Sequence, residues 1–339
     1  MKDHLVKAVA DGVRIYAAVT TDLVNEAIRR HGCYPVAAAA LGRTMTGALL
    51  LAANLKNKEA LTVSFDGHGP LGRVVADATP EGSVRGYVGN PKVLLPLNAK
   101  GKIDVGGGVG TQGLVTVTRF TGLEAAGAGH VDPIRGSAEL VDGEIADDLT
   151  KYLAVSEQTP SAVGLGVLVA PRSSVAEQTN AAPGNTDVAA QNTTNPTNAA
   201  KSPDEFIEPC IGAGGFIVQP LPDASEDVLE RLERNVASVA SVSHLVERGL
   251  DAKGIIAEVL KGFDVEYLST TDLAFRCGCS KGRISDVLLG LNLTDLQSLV
   301  DDGHAEVVCH FCNEKYQFDG AELQAIWNVA KRQRSKKTK

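Results

Sequence analysis

Cys277-Gly278-Cys279 and Cys309-His310-Phe311-Cys312 are the stretches that decide how the C-terminal part of this 339-residue chain folds. Four thiolates delivered by two short clips match the tetrahedral, all-sulfur shell that zinc prefers in closed sites. Gly278 supplies the bend that the C-x-C clip needs, because side chains alternate along an extended strand. The pattern predicts one zinc ion per chain, bound by Cys277, Cys279, Cys309 and Cys312.

Other ligands are weaker candidates for this site. His304 and His310 lie close in sequence, but either would have to displace a better-placed thiolate, so we interpret both as bystanders. Haem attachment requires a histidine directly after the second cysteine, whereas Asn313 follows Cys312.

The unit that contains the cysteines, residues 271–330, would depend on its metal. About 60 residues supply too little core for safe stability, whereas structural zinc contributes roughly 10–16 kcal/mol in peptide models. Each cysteine has another within three positions, so oxidation through sulfenic acid to a disulfide would remove the ligands. These residues leave two alternatives open, a permanent structural zinc and a reversible zinc and thiol switch.

The composition predicts a soluble globular chain. Hydrophobic residues make up 44% and charged residues 22%, and the formal net charge of −8 argues against nucleic acid as the main partner. The N-terminus shows no pattern of a signal peptide. We interpret the apolar stretch Val36 to Leu55 as a buried helix and not a membrane span, and expect a cytoplasmic protein.

Residues 1–221 mix helical and strand patterns, which predicts an α+β fold with a sheet-rich core around the buried helix. Thr21 to Arg30 has helical periodicity. Short β-like runs separated by glycine and proline follow the buried helix, as in a meander: Leu61–Phe65, Gly72–Ala76 and Ser83–Val88, with Leu114–Phe120 continuing in kind.

Residues 171–203 break this pattern. They are rich in alanine, asparagine, threonine and proline, and their large aliphatics are Val175 and Val188 alone, which predicts a disordered insertion. Val163–Val169 and Gly214–Gln219 on either side are predicted to be the strands of one hairpin.

A helical linker is predicted over residues 222–270. Ser225 to Arg248 is expected to be helical with an apolar stripe of Leu229, Leu232, Val236 and Val239, and Asp251 to begin a shorter helix. Asp319 and Glu322 form a capping pair for a last helix through Trp327. Residues 331–339 carry six cations in nine positions and are interpreted as a solvated basic tail.

These features resemble the thirty-three-kilodalton heat-shock protein family of redox-regulated holdase chaperones, and the similarity covers nearly the whole chain. The marks of the family are the two clips, the run Cys309–Tyr316, and three N-terminal motifs: Arg29-Arg30-His31-Gly32, Ala40-Leu41-Gly42-Arg43-Thr44-Met45 and Ser156-Glu157-Gln158-Thr159-Pro160-Ser161. The insertion at 171–203 departs from the family, which is expected to have a short turn there.

The resemblance implies a binding protein and not an enzyme. It implies a reduced, zinc-bound, inactive monomer that loses zinc under oxidative stress, with Cys277 pairing with Cys279 and Cys309 with Cys312. The zinc unit and linker would then unfold, and the oxidised protein would dimerise and hold unfolding client proteins without ATP. Leu229, Leu232, Val236 and Val239 are the candidates for the client-binding or dimer surface.

Two other functions remain alternatives at this point. A thiol–disulfide oxidoreductase would use Cys309 and Cys312 and requires a low-pKa thiol. A zinc-ribbon nucleic-acid module is opposed by the acidic character of residues 271–330, so only the tail would bind phosphates.

Cys33 and Cys210 are interpreted as small apolar fillers, with a reactive thiol at Cys210 as a minor alternative. The glycine-rich Gly108–Gly113 precedes a predicted strand, whereas a dinucleotide fingerprint precedes a helix.

Overall fold

A computed structural model describes residues 2–56, 58–121, 133–170 and 206–337. The predicted insertion at 171–203 lies outside the described residues. The chain divides into two compact units, Met1–Phe275 and Arg276–Lys339. The first unit is a mixed α+β structure, as the sequence predicts.

Two sheets form the framework of the first unit. Sheet A has the strand order β10-β1-β2-β9-β8, and sheet B the order β11-β5-β4-β3-β6-β7. Sheet A consists of β1 (His4–Ala10), β2 (Val13–Val19), β8 (Ala162–Val169), β9 (Cys210–Pro220) and β10 (Glu266–Asp272). Sheet B consists of β3 (Ala60–Asp66), β4 (Val74–Ala78), β5 (Ser83–Val88), β6 (Leu114–Phe120), β7 (Ile134–Glu139) and β11 (Ala274–Phe275).

The predicted local pairings are confirmed. β3, β4 and β5 form an antiparallel meander, and β8 pairs antiparallel with β9, so the strands on either side of the insertion form a hairpin. Leu114–Phe120 is a strand, as predicted, so the glycine-rich Gly108–Gly113 is not followed by the helix that a dinucleotide fingerprint requires.

The buried helix of the sequence analysis is α2 (Pro35–Ala52), which follows α1 (Thr21–His31). Among the described residues, α2 is the one helix long and apolar enough to cross a membrane, but 83% of it is buried inside the protein. It belongs to a large apolar cluster, the inner cluster, that also contains Leu5 of sheet A and Phe65 of sheet B. Small residues allow the close contact, since a Cβ on Gly42 would lie 2.9 Å from Val167 Cγ2.

Sheet A is buried on its other face as well. Val6 of β1, Ile15 of β2 and Phe216 of β9 form a second apolar cluster, the outer cluster, with residues of the predicted linker. Three linker helices contribute to it: α5 (Glu226–Ser238), α6 (Val242–Glu247) and α7 (Ala252–Val259). Two short helices, α3 (Val105–Val109) and α4 (Ala146–Val155), complete the helices described in this unit.

The prediction of one continuous helix from Ser225 to Arg248 is wrong, because the structure has two helices in this range. α5 ends at Ser238 and Val239 is extended, with ψ 126°. Ser241 precedes α6 at the N-cap position, and its Oγ lies 3.0 Å from Ser243 Oγ. Serine hydrogen-bonds locally outside helices, which favours a break here. Asp251 caps α7 as expected, accepting a hydrogen bond from Gly254 N at 2.8 Å.

The second unit combines a two-stranded sheet with three helices. β12 (His304–Val308) pairs antiparallel with β13 (Lys315–Asp319). The helices are α8 (Lys281–Gly290), α9 (Leu293–Asp302) and α10 (Gly320–Lys337). Asp319 and Glu322 form the predicted capping pair, with reciprocal hydrogen bonds of 2.8 and 3.1 Å. Helix α10 continues past Trp327 through the first part of the basic segment.

Candidate metal centre

The second cysteine clip lies in the turn that joins β12 to β13. Cys309 N donates to Glu314 O at 2.9 Å, and Asn313 N donates to Cys309 O at 2.8 Å. Asn313 takes a left-handed conformation, with φ 59°, which asparagine tolerates better than most residues. This tight turn brings Cys309 and Cys312 to the same side.

The first clip leads directly into α8. Ser280 caps this helix by accepting from Arg283 N at 3.3 Å. Arg283 Nη1 in turn donates to Gly278 O at 2.7 Å, and a Cβ on Gly278 would lie 2.7 Å from that same nitrogen. The glycine of the C-x-C clip therefore leaves space for the arginine that fixes the clip.

The four cysteine sulfurs converge. The Sγ atoms of Cys277, Cys279, Cys309 and Cys312 all lie within 4.8 Å of one another, and they form the one group of three or more possible metal ligands in the part of the chain that is described. Cys277 Sγ lies 3.7 Å from Cys309 Sγ, and Cys279 Sγ lies 3.3 Å from Cys312 Sγ. A zinc–sulfur bond of about 2.3 Å implies tetrahedral edges of about 3.8 Å. The donor set and its spacing therefore fit a tetrahedral metal ion.

Histidine is not a member of this group, and the side chains of His304 and His310 are exposed. His304 Nδ1 lies 3.1 Å from Asp302 O. The cluster is thus made of the four cysteines that the sequence predicts to be ligands.

The surroundings of Cys309 and Cys312 disfavour their thiolate forms when no cation is bound. Burial raises the pKa of the Cys309 thiol, while the backbone amides of Phe311 and Cys312 hydrogen-bond to it and act in the opposite direction. Burial likewise raises the pKa of Cys312. Partly buried thiols resist ionisation alone, whereas a coordinating cation stabilises the thiolates.

One contact to the cluster was not foreseen. Tyr316 Oη donates a hydrogen bond to Cys279 Sγ at 3.0 Å, from strand β13. In the sequence, the only indication of this contact is the position of Tyr316, four residues after Cys312. Hydrogen bonds to ligand atoms orient them and tune a metal site.

The apolar core beside the cluster is small. Its buried residues are Leu288, Ala305, Phe318 and Leu323, with partly buried side chains around them. Such a core is marginal for an independent unit, which agrees with a contribution from a bound metal.

Comparison with known proteins decides the family. The model of the family described as Hsp33 protein matches residues 3–184 and 192–319. The chain belongs to the Hsp33 chaperone family.

Proteins similar to this chain bear the name 33 kDa chaperonin. Those of Bacillus subtilis and Staphylococcus carnosus are 43% and 42% identical to it, over 96% of this chain and 98% and 97% of their own lengths. The crystal structure of the 33 kDa chaperonin of Thermotoga maritima superposes with a TM-score of 0.77 at 32% identity, covering 96% of this chain and 98% of that one.

Two of the N-terminal motifs quoted in the sequence analysis make structural contacts in the first unit. Arg43 Nη1 donates to Glu144 Oε2 at 2.6 Å, which ties α2 to the residues before α4. Glu157 accepts hydrogen bonds from Tyr152 Oη at 2.6 Å and from Arg119 Nη2 at 3.0 Å. These residues stabilise the fold around the core helix.

The four candidates for the client or dimer surface occupy different environments. Leu232 is buried in the outer cluster, and Val236 and Val239 pack partly against it. Leu229 is half-buried and is not a member of that cluster, whereas Val228, which the sequence analysis missed, packs against it. Positions 228, 232 and 236 recur every four residues on α5, so they share one face.

Cys33 and Cys210 lie in the inner cluster, 1% and 4% exposed. Burial raises the pKa of each thiol to about 12. Both environments agree with the interpretation of these residues as apolar fillers and oppose a reactive thiol.

Proposed function

We propose that this protein is a redox-regulated, ATP-independent holdase: inactive when reduced and zinc-bound, and able to bind unfolding proteins after oxidation. The observation that supports this most directly is the convergence of four cysteine sulfurs within 4.8 Å in a unit with a small core. A unit that depends on its metal becomes sensitive to any reaction that removes the ligands.

The oxidant that we propose is hydrogen peroxide. A thiolate attacks the peroxide, which gives a sulfenic acid and hydroxide, and a second cysteine then displaces hydroxide or water to form the disulfide. Each disulfide consumes one peroxide, which accepts the two electrons that the pair of cysteines loses and ends as water. Two disulfides therefore convert all four ligands, and zinc is released because disulfide sulfurs are poor ligands.

We propose the pairings Cys277 with Cys279 and Cys309 with Cys312. The distances within the cluster do not select these pairs, because all four sulfurs are close together. Chain entropy favours them. Each proposed pair closes a short loop, whereas the alternative pairs close loops of more than thirty residues, which costs more chain entropy once the unit is unfolded.

Unfolding of the predicted linker would expose the surface that binds clients. α5, α6 and α7 cover the outer cluster of sheet A. If they unfold with the cysteine unit, residues such as Ile15, Phe216 and Val218, each at most 3% exposed, become accessible. Leu232, Val236 and Val239 would be exposed from the linker side. An apolar surface of this kind binds unfolding proteins and favours a dimer of the oxidised chain, whereas the reduced chain stays monomeric. The proposal also includes zinc as the bound metal and the cytoplasm as the location of the protein.

Light scattering by thermally unfolding citrate synthase tests the proposal. The full chain is added reduced, and again after peroxide treatment at elevated temperature, with zinc release and molar mass recorded on the same samples. We expect protection only after oxidation, about one zinc released per chain, and a doubled mass. Equal protection in both states, or none in either, would refute the holdase. Cys33→Ser is the matched control, because Cys33 is buried in the first unit and is not a member of the group of four cysteines.

Peptide mapping without reduction tests the pairing. Mixed disulfides between the two clips, in protein that is fully active, would contradict the proposed pairs while leaving the holdase intact.

A further inference from the structure

Residues 266–275 occupy the edges of both sheets in the first unit. β10 pairs antiparallel with β1, from His4 opposite Asp272 to Val9 opposite Glu266. β11 pairs in parallel with β5, with Ala274 opposite Ser83 and Phe275 opposite Val84. Removing this one segment would therefore free an edge of each sheet.

Leu273, between the two strands, is the anchor of this segment. It is 6% exposed and belongs to the inner cluster. Its backbone N donates to Asp3 O at 3.1 Å. A narrow pocket beside it is lined by Leu273 itself together with Leu5, Lys7, Leu49 and Ala53. Release of Leu273, a member of the inner cluster, would widen this pocket into a slot that leads to the apolar core.

Phe275 packs partly against the inner cluster, with Arg30 Cζ 5.2 Å from the centre of its ring, but β10 itself buries few side chains. Six of the seven β10 side chains are exposed, including Tyr267 at 43% and Leu268 at 56%. The ion pair of Lys2 with Asp272 is 2.6 Å long but has side chains 74% and 69% exposed, so it adds little. β10 is therefore held chiefly by its backbone ladder and by Leu273.

Both ends of the segment adjoin parts of the chain that the proposed function unfolds. Val265, immediately before β10, packs against the outer cluster with the linker helices. Cys277, a proposed zinc ligand, lies two positions after Phe275. Once both neighbours are unfolded, a ten-residue strand with one buried anchor opens readily.

We propose that the edge of β1 with the Leu273 slot is a client-binding site, which residues 266–275 occupy in the resting protein. The occupant after activation is an extended segment of an unfolding polypeptide that adds as a strand to β1 and places a large aliphatic side chain in the slot. This inference rests on the proposed function and assigns a place and a geometry to client binding.

The chemistry of β1 supports this occupant. Leu5 lies in the inner cluster and Val6 in the outer one, so both faces of the freed edge border apolar surface. β10 presents mainly polar side chains there, Ser269, Thr270, Thr271 and Asp272. A client segment with aliphatic residues at those positions would bury more apolar surface than the chain's own strand does. This difference in buried apolar surface would let a client segment displace residues 266–275, which compete for the same edge of β1 while tethered to it by the chain.

The first test uses a fluorescein-labelled peptide with the sequence of residues 264–275 and the full-length oxidised chain. We expect this peptide to bind oxidised but not reduced protein, and the same peptide with Leu273→Asp to bind at least tenfold more weakly. Leu273→Ser in the full chain weakens the tethered competitor, so peptide affinity is expected to rise about tenfold. Leu268→Ser, on the exposed side of the strand, is the matched control and leaves affinity unchanged.

Photo-cross-linking gives a second measurement that does not depend on Leu273 variants folding correctly. A benzoylphenylalanine replaces Lys7, which lines the slot, and citrate synthase is the unfolding client. In the reduced chain we expect cross-links to residues 269–273, and in the oxidised chain to the client.

The outcomes separate this inference from the proposed function, because aggregation is followed in the same samples. If the oxidised chain suppresses aggregation while both peptides bind alike, or while position 7 still cross-links to residues 269–273, the site is wrong and the holdase stands. Cross-links from position 7 to a second copy of the chain also overturn the client assignment. If the oxidised chain gives no suppression, the proposed function fails and this inference fails with it.

Discussion

Removal of the metal under reducing conditions is expected to unfold residues 276–337 and to leave the first unit folded. Structural zinc contributes roughly 10–16 kcal/mol in small peptides. The large apolar side chains buried in this unit are Leu288, Leu296, Phe318 and Leu323, worth about 1.5–3 kcal/mol each. Small domains have about 5–15 kcal/mol of stability in total. The zinc contribution is as large as the whole free energy of unfolding of such a domain, so its removal favours the unfolded state of this unit.

Trp327 makes this measurement specific, because it is the one tryptophan of the chain and lies in α10 of the second unit. Chelation in the presence of a reductant is followed by tryptophan emission, far-ultraviolet circular dichroism and zinc content. We expect a red shift of emission and loss of the signal of α8, α9 and α10, which have 10, 10 and 18 residues. Cys312→Ser should reproduce this change without chelator, and Cys33→Ser should not. Native emission from protein shown to be free of metal would refute the dependence of this unit on zinc.

Three further perturbations test separate parts of the structure. Leu232→Ser removes a side chain that is 7% exposed, so it should cost about 2–5 kcal/mol of linker stability and lower the peroxide dose for activation; hydrogen exchange over residues 226–265 reports the change, and Leu229→Ser should have a smaller effect. Burial raises the pKa of Asp3 from 3.8 to about 6, although it accepts a hydrogen bond from Leu23 N. The folded state therefore prefers the protonated carboxyl, and stability falls by about 3 kcal/mol as the pH rises from about 4 through 6; urea unfolding should show that Asp3→Asn removes this dependence, and equal slopes with pH in both proteins would contradict it. Tyr316→Phe deletes the hydrogen bond to Cys279 Sγ, so zinc affinity, measured by competition with a chromophoric chelator, should fall about tenfold or more; unchanged affinity would assign the tyrosine to packing alone.

Local patterns in the sequence predicted much of this fold. The two clips predicted the cysteine cluster because C-x-C and C-x-x-C spacings restrict where the sulfurs point. The hairpin of β8 and β9 followed from two apolar runs on either side of a polar segment. The helix at Val36 was recognised as buried because it is apolar on all sides and lies between strand-rich segments.

Pairings between distant residues were beyond reach of the same reasoning. β10 pairs with β1 across more than 250 residues, and its exposed side chains give no alternating apolar pattern. Asn235 ties α5 to the end of α7, with Nδ2 donating to Val259 O at 3.1 Å and to Lys261 O at 2.9 Å, and periodicity gives no sign of this contact. Periodicity placed the apolar face of α5 correctly to within one position, which is why Leu229 was selected in place of Val228.

The two clusters on opposite faces of sheet A explain how one part of this protein would unfold without the rest. Along β1 the side chains alternate between them, with Leu5 in the inner cluster and Val6 in the outer one. The inner cluster contains α2 and sheet B but no residue of α5, α6 or α7, so loss of the linker helices removes none of its members, and the proposed release of residues 266–275 removes only Leu273 from its buried residues. Local unfolding is therefore separable from global unfolding. The surface that remains is a rigid sheet, and binding to a rigid surface avoids the cost of ordering it. A chaperone that recognised clients mainly through its own disordered linker would lack that advantage, so the affinity for clients should fall more when Ile15 or Phe216 is made polar than when Leu232 is.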